Sequence, residues 1–143
     1  MSLTRAQAIA ETFALFKAAW DTTSHADLVK YPNVSNDKVP PSAEVPWCRV
    51  NWNDNNKEQA TLSGAVGSRR FTSYGILVVQ VFVPDGKGLI GDIDYPKLIS
   101  DAYEGKRTTS GIWFKNVTIK GIGSDGSFYQ TNVIAEFEYD EIK

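Results

Sequence analysis

The feature that most constrains the fold is the run RRFTSYGILVVQVFV at residues 69–83. It is rich in β-branched and aromatic residues, which favour strands. From Ile76 onward it is apolar on both faces except for Gln80. A strand of this kind is typical of the centre of a sheet that is covered on both sides. We therefore expect a helix on one face of this strand and another sheet or a subunit on the other.

A first helix is predicted over about residues 4–20. Thr4 followed by Gln7 fits a capping box, in which each side chain satisfies a backbone donor at the helix start. Apolar residues then recur with helical periodicity, and this pattern predicts one buried stripe with Glu11 facing water. The stripe consists of Ile9, Phe13, Phe16 and Trp20.

A second helix is predicted over about residues 92–104. Pro96 suits the first turn, where its missing N–H costs nothing, and Gly105 is a plausible C-terminal stop. The apolar face of this helix is formed by Leu98, Ile99, Ala102 and Tyr103.

Four further segments have strand-like patterns. They are residues 47–52, a weaker run at 59–63, and two closing segments at 112–122 and 128–139. The sequence Ser-Asp-Gly at 124–126 indicates a hairpin turn between the closing strands.

The last strand carries an acidic row on one face, formed by Glu136, Glu138 and Asp140. A solvated face is the simpler interpretation of this row. In an assembly the same face could line a channel or meet a basic partner.

The order of these segments predicts an α+β fold. It consists of an antiparallel or mixed β-sheet of about five to six strands with two helices packed on one face. A chain of 143 residues fits a single domain, which we place at 1–143. Residues 21–46 form a long, proline-containing arm or loop. This segment is either an interaction arm or hides a short edge strand around Leu28 to Tyr31, and a loop that lies along the surface is the simpler alternative.

Composition argues against several classes of protein. A net charge of −2 and a pI of about 5.4 are unlike a general nucleic-acid binder. The longest apolar run, 76–79, is far shorter than the ~20 residues that a membrane span needs. The N-terminal segment lacks the pattern of a signal peptide, so we expect the protein to stay in the compartment where it is made.

No catalytic, metal or cofactor site is predicted. Cys48 and His25 are each the only residue of their type, which excludes an intrachain disulfide and gives little support for zinc. The glycine-rich loop at 86–91 lacks a phosphate-binding motif, and the nearby Asp85, Asp92 and Asp94 would repel an anion. We therefore expect no enzymatic activity.

Several motifs in order resemble the phage tail terminator-like family. They are YPN at 31–33, PWCRVNW at 46–52, GILVVQVFVP at 75–84, and a closing pattern at 122–140 that contains FYQTNV and FEYD. The resemblance covers roughly residues 3–140. One departure is the DNN-rich stretch at 53–58, where a shorter link is expected.

The resemblance implies a structural protein of a long-tailed phage or prophage. Such subunits form a six-membered ring that caps the head-proximal end of the tail tube, stops its polymerisation and allows the head to join. The implied partners are other copies of the chain, the major tail tube protein and a head-completion or connector protein, with no specific nucleic-acid binding and no membrane. The implied location is the virion tail, after assembly in the host bacterial cytoplasm.

Two other interpretations remain open at this point. The chain could be another tail-completion or neck subunit of the head–tail connector. It could also be a small-ligand binding domain, with a pocket between the second helix and the sheet.

Two segments are the candidate contacts with neighbouring subunits or the tube. They are the arm from His25 to Pro46 and the loop at 63–70, and deletion of residues 34–42 is expected to abolish ring formation. The individual candidates are Tyr31, Asn33, Arg69, Arg70, Asp85, Lys106 and Arg107.

Overall fold

The computed structural model describes residues 2–42, 44–61, 64–86, 88–89 and 93–143. Within these ranges the elements are α1 (Arg5–Trp20), β1 (Val29–Lys30), β2 (Trp47–Gln59), β3 (Arg70–Pro84), α2 (Tyr95–Tyr103), β4 (Trp113–Ser124) and β5 (Phe128–Ile142). The strands form one sheet in the order β1-β2-β3-β5-β4. β1 pairs parallel with β2, and the other pairs are antiparallel. The predicted α+β fold with a mixed sheet and two helices on one face is confirmed.

Helix α1 begins at the predicted capping box. Gln7 N donates to Thr4 Oγ1 at 3.2 Å, and Thr4 N donates to Gln7 Oε1 at 3.0 Å. Glu11, which we expected to face water, is half-buried and lines a surface groove beside Lys106 and Arg107. The segment that follows α2 packs along this side of α1, which the helical periodicity of α1 alone cannot indicate. The fully buried side of α1 is Ala8, Thr12, Phe16 and Trp20.

Helix α2 is shorter than predicted. Its N-cap is Asp94, whose Oδ1 accepts from Lys97 N at 3.3 Å, and the predicted start at residue 92 lies outside the described residues. The expected stop at Gly105 is confirmed, with a positive φ of 72° that glycine adopts without strain. Tyr103 Oη donates to Thr12 O at 2.9 Å, and this buried bond ties α2 to α1.

Strand β2 is longer than predicted. It continues through residues 53–58, which we expected to be a loop, and pairs with β3 as far as Gln59 opposite Phe71. The register shifts between Asp54 and Asn56, so a bulge absorbs an extra residue where the sequence is DNN-rich. The weak strand predicted at 59–63 does not exist as a separate element in the described chain: Gln59 ends β2, and residues 62–63 lie outside the described ranges.

The core lies between the two helices and one face of the sheet. Trp52 stacks on Phe137 with ring centroids 4.1 Å apart, and Trp20 of α1 meets Tyr95 of α2 at 5.5 Å. The inward-facing residues of the central strands are Leu77, Val79, Val81, Val133, Ala135, Phe137 and Tyr139.

The arm contains a short edge strand, as one of the alternatives drawn from the sequence had predicted. This strand is β1, in which Val29 pairs with Cys48. After β1 the arm folds back, because Asn36 Nδ2 donates to Val29 O at 2.8 Å and to Asp27 O at 3.0 Å. The side chain of Asn36 therefore holds the arm against the outermost strand.

Candidate functional site

The sheet face opposite the helices, which we call the open face, has no covering element in the described chain. Its centre is apolar and consists of Ile76 and Val78 on β3 with Ile134 on β5. These side chains are half-buried by their neighbours on the sheet. The open face is therefore a surface with an apolar middle between an acidic end and an aromatic end.

The acidic row lies at the end of the open face where β3 begins, and its carboxylates have partners within the chain. Glu136 accepts from Asn116 Nδ2, and Glu138 lies 3.2 Å from Lys115 Nζ. Asp140 accepts from Thr72 Oγ1 at 2.6 Å. All three acids are half-buried. The row therefore lies on the uncovered face of the sheet, with its carboxylates bonded to neighbouring side chains.

The opposite end of the open face is built from aromatic rings and one arginine. Trp47 stacks on Phe82 with centroids 4.2 Å apart, and Phe128 meets Trp47 edge-on at 6.2 Å. The guanidinium carbon of Arg49 lies 5.6 Å from the centroids of both Trp47 and Phe82. Trp47 and Phe82 are buried, whereas Arg49 is exposed.

A surface cavity of about 310 Å³, which we call the arm cavity, separates this end of β2 from the arm. One wall comes from β1 and the residues after it, including Lys30, Tyr31 and Asn33, and the other comes from Trp47 and Arg49. Lys30 Nζ donates to Val34 O, so its ammonium group is held at the rim. The cavity therefore lies between the arm and the aromatic end of the open face.

The candidate contact residues do not form one site. Tyr31 and Asn33 line the arm cavity. Asp85 follows β3 at the same end of the sheet, and its N–H donates to Ser127 O beside the β4–β5 turn. Tyr31 also serves the core, since its ring lies 5.5 Å from that of Phe13 and burial raises the pKa of its hydroxyl.

The four basic candidates lie in two other places. Arg69 Nε donates to Gly64 O at 2.8 Å, so this side chain closes the loop before β3. Arg70 Nε lies 3.9 Å from Asp140 Oδ2, at the acidic end of the open face where β3 begins. Lys106 and Arg107 line a groove against α1 on the helical side.

Sequence reasoning missed Arg49 and Trp47 as site residues. Both belong to the motif PWCRVNW, where alternation predicted a strand but could not show which face the helices cover. The one available signal was Arg49 itself, a cation in the middle of an otherwise largely apolar strand start.

Other chemistry in the described residues is limited. No group of three or more His, Cys, Asp or Glu side chains is arranged to hold a metal ion in that part of the chain. Burial raises the pKa of the Cys48 thiol and of the Tyr103 hydroxyl. Among the described helices, none is long and apolar enough to cross a bilayer.

Comparison with known proteins supports the fold and assigns no family. No protein-family model matches the chain, and no curated protein matches it. One solved structure, which carries only a sequence identifier as its name, has a TM-score of 0.58 and 15% sequence identity. The similarity covers 89% of this chain and 94% of that one. At this identity it shows the fold alone.

Proposed function

We propose that this chain is a virion structural protein of a long-tailed phage or prophage. In this proposal, copies of the chain cap the head-proximal end of the tail tube as a six-membered ring, which stops tube polymerisation and allows the head to join. Its partners are then its own copies, the tail tube protein and a head-completion protein. The role is one of docking, without catalysis.

The observation that carries the proposal is the open face. β3 is an inner strand with apolar side chains on both faces, and Ile134 of the neighbouring strand β5 extends the apolar patch; the described helices cover only one face of the sheet. Strands of this kind are normally covered on both sides. A protein partner on the open face would bury Ile76, Val78 and Ile134 further.

The two faces of the sheet also differ, and this suits a ring. A ring requires a heterologous contact, in which one patch meets a different patch on the neighbour. The helical face, the open face and the arm offer distinct surfaces on one subunit. The order of motifs from YPN to FEYD, which resembles the tail terminator-like family, supports the same proposal.

The test is electron microscopy of particles from an induced prophage that lacks this gene. We expect overlong tubes without attached heads, and a wild-type copy supplied in trans should restore normal virions. Normal virions without the gene would contradict the proposal. Tails of correct length that fail to join heads would instead identify a neck subunit.

The open face can be tested in the same assay. A complementing copy with Val78→Gln, in the apolar centre of that face, should fail to restore normal tails while its circular dichroism stays native. The matched control is Ile142→Gln, because Ile142 is an apolar residue 39% exposed at the far end of the sheet. Full complementation by Val78→Gln would contradict a role of the open face in assembly.

A further inference from the structure

We infer that the arm cavity binds carboxylate side chains of an extended acidic segment of a partner protein. This inference deepens the docking role proposed above and rests on it. It gives one surface of the subunit a defined chemical specificity, for negatively charged peptide.

The charge of the cavity is the first argument. Lys30 and Arg49 both line it, and none of its described lining residues is acidic. Several other cations in the described chain are ion-paired, such as Arg5 at 2.9 Å from Asp54 and Lys57 at 2.8 Å from Glu141. Arg49 has no such ion pair among the described residues, although it is exposed. An acidic side chain from outside would complete the pairing.

The position of Arg49 is the second argument. Its guanidinium lies over the stacked rings of Trp47 and Phe82, and such cation–π contacts restrict the arginine side chain. A restrained, planar guanidinium can donate two parallel hydrogen bonds to one carboxylate. The aromatic wall therefore orients the group that would bind the ligand.

Two buried polar atoms beside Arg49 are the third argument. Trp47 Nε1 has no acceptor and Gln80 Oε1 has no donor among the described residues. Gln80 is the cross-strand partner of Arg49, and Trp47 forms part of the cavity wall. Buried polar atoms in native proteins nearly always have a partner. Trp47 Nε1 needs an acceptor, which a carboxylate oxygen supplies, whereas Gln80 Oε1 needs a donor, which an N–H group of the peptide supplies.

A peptide fits this cavity better than a nucleic acid. The cations that line the cavity are Lys30 and Arg49, whereas a phosphate backbone is usually bound by a longer basic stripe. The rim of the arm is apolar where Val34 is 50% exposed, and Pro40 lines the cavity. An extended peptide can place a carboxylate on Arg49 and its own apolar groups on this rim.

The probe for the test is fluorescein-labelled N-acetyl-hexaglutamate amide, with the hexaglutamine peptide as its neutral control. Fluorescence anisotropy with the full-length protein should show saturable binding of the acidic peptide alone. Arg49→Gln should weaken binding about tenfold, as expected for loss of a charge-assisted hydrogen-bonded pair. Lys120→Gln removes an exposed cation from the outer strand β4 and should change the Kd less than about twofold.

Arg49→Lys keeps the charge but loses the planar guanidinium, so it should bind the acidic peptide more weakly than wild type. It serves as a second variant in case Arg49→Gln fails to fold. Equal weakening by Arg49→Gln and Lys120→Gln, or no saturable binding, would overturn the inference. Tighter, Arg49-dependent binding of a single-stranded oligonucleotide would replace peptide by nucleic acid. Overlong tails on gene deletion without peptide binding would leave the ring proposal standing and reject only this site.

Discussion

Gly75 is the residue on which the packing at the middle of the sheet depends most directly. A Cβ atom there would meet the backbone carbonyl oxygen of Asn53 and the ring of Phe137. The missing side chain leaves room for Phe137 to stack on Trp52 at 4.1 Å. The glycine is required by close approach rather than by an unusual φ.

We expect Gly75→Ala to lower the free energy of unfolding by about 1–3 kcal/mol, because overpacking forces backbone and ring to move. Denaturant unfolding measures this. The control is Gly121→Ala, where the added Cβ would meet only Tyr129 Oη, at 3.1 Å. A loss of the same size in the control would show that general strand propensity, and not the close approach, is responsible.

Cys48 is the second residue with a measurable consequence. It is fully buried on β2, where it pairs with Val29 of β1, and burial raises the pKa of its thiol above the ordinary value of 9.0. Folding therefore favours the protonated thiol. Its contribution to stability is complete below the unfolded pKa and is lost as the pH rises toward the folded one.

We expect the native thiol to be unreactive toward an aromatic disulfide reagent at pH 8, and to react at the rate of a free cysteine in denaturant. Above about pH 9, the free energy of unfolding should fall more in wild type than in Cys48→Ala. The difference between the two proteins isolates the effect of the thiol from that of other titrating groups. Rapid labelling under native conditions would contradict the burial of Cys48.

At the scale of elements, helix ends follow local sequence and strand lengths do not. The capping box of α1 was predicted from Thr4 and Gln7 and is confirmed, because it joins residues three apart. β2 extends seven residues beyond its predicted end, from Trp52 to Gln59, because β3 runs alongside and supplies backbone partners. That pairing joins residues far apart in the chain, and a polar DNN stretch gives no local sign of it.

The capping box predicts a measurable coupling. Thr4→Ala should lower the free energy of unfolding by about 1 kcal/mol, because it leaves an amide at the start of α1 without its acceptor. Thr4→Ala, Gln7→Ala and the double variant form a cycle, and we expect the double variant to lose less than the sum of the single losses. Additive losses in thermal or denaturant unfolding would show that the two halves of the box act independently.

At the scale of the whole molecule, the arm is the feature that separates folding from assembly. The buried core contains Val29 of β1 but no residue between 34 and 42. The arm is attached to β1 through the side chain of Asn36. Its conformation therefore depends on the sheet more than the sheet depends on it.

Replacement of residues 34–42 by a short Gly-Ser linker should abolish ring formation on tail tubes while circular dichroism stays native. Electron microscopy of tubes incubated with the variant measures the first outcome. A matched variant that replaces the exposed residues 64–68 with a linker of the same length tests the other candidate segment. Rings that persist without residues 34–42 would reject the role of the arm in assembly.

The candidate site was predictable only in part. Tyr31 and Asn33 were named from the sequence and line the arm cavity, but Arg49 and Trp47 were not, because strand alternation does not show which side a helix covers. Arg69, Arg70, Lys106 and Arg107 were chosen as basic doublets. The structure separates them between an end of the sheet and the helical side.

The sequence by itself determined the features that arise from neighbouring residues. These are the two helices with their cap and glycine stop, the apolar centre of β3, the hairpin turn before β5, and therefore the α+β class. Only the tertiary structure decided the strand order, the parallel pairing of β1 and the length of β2. It also decided that the arm and Arg49 line one cavity. The physical reason is range: a cap or a turn is satisfied within a few residues, whereas strand pairing and burial depend on residues that only folding brings together.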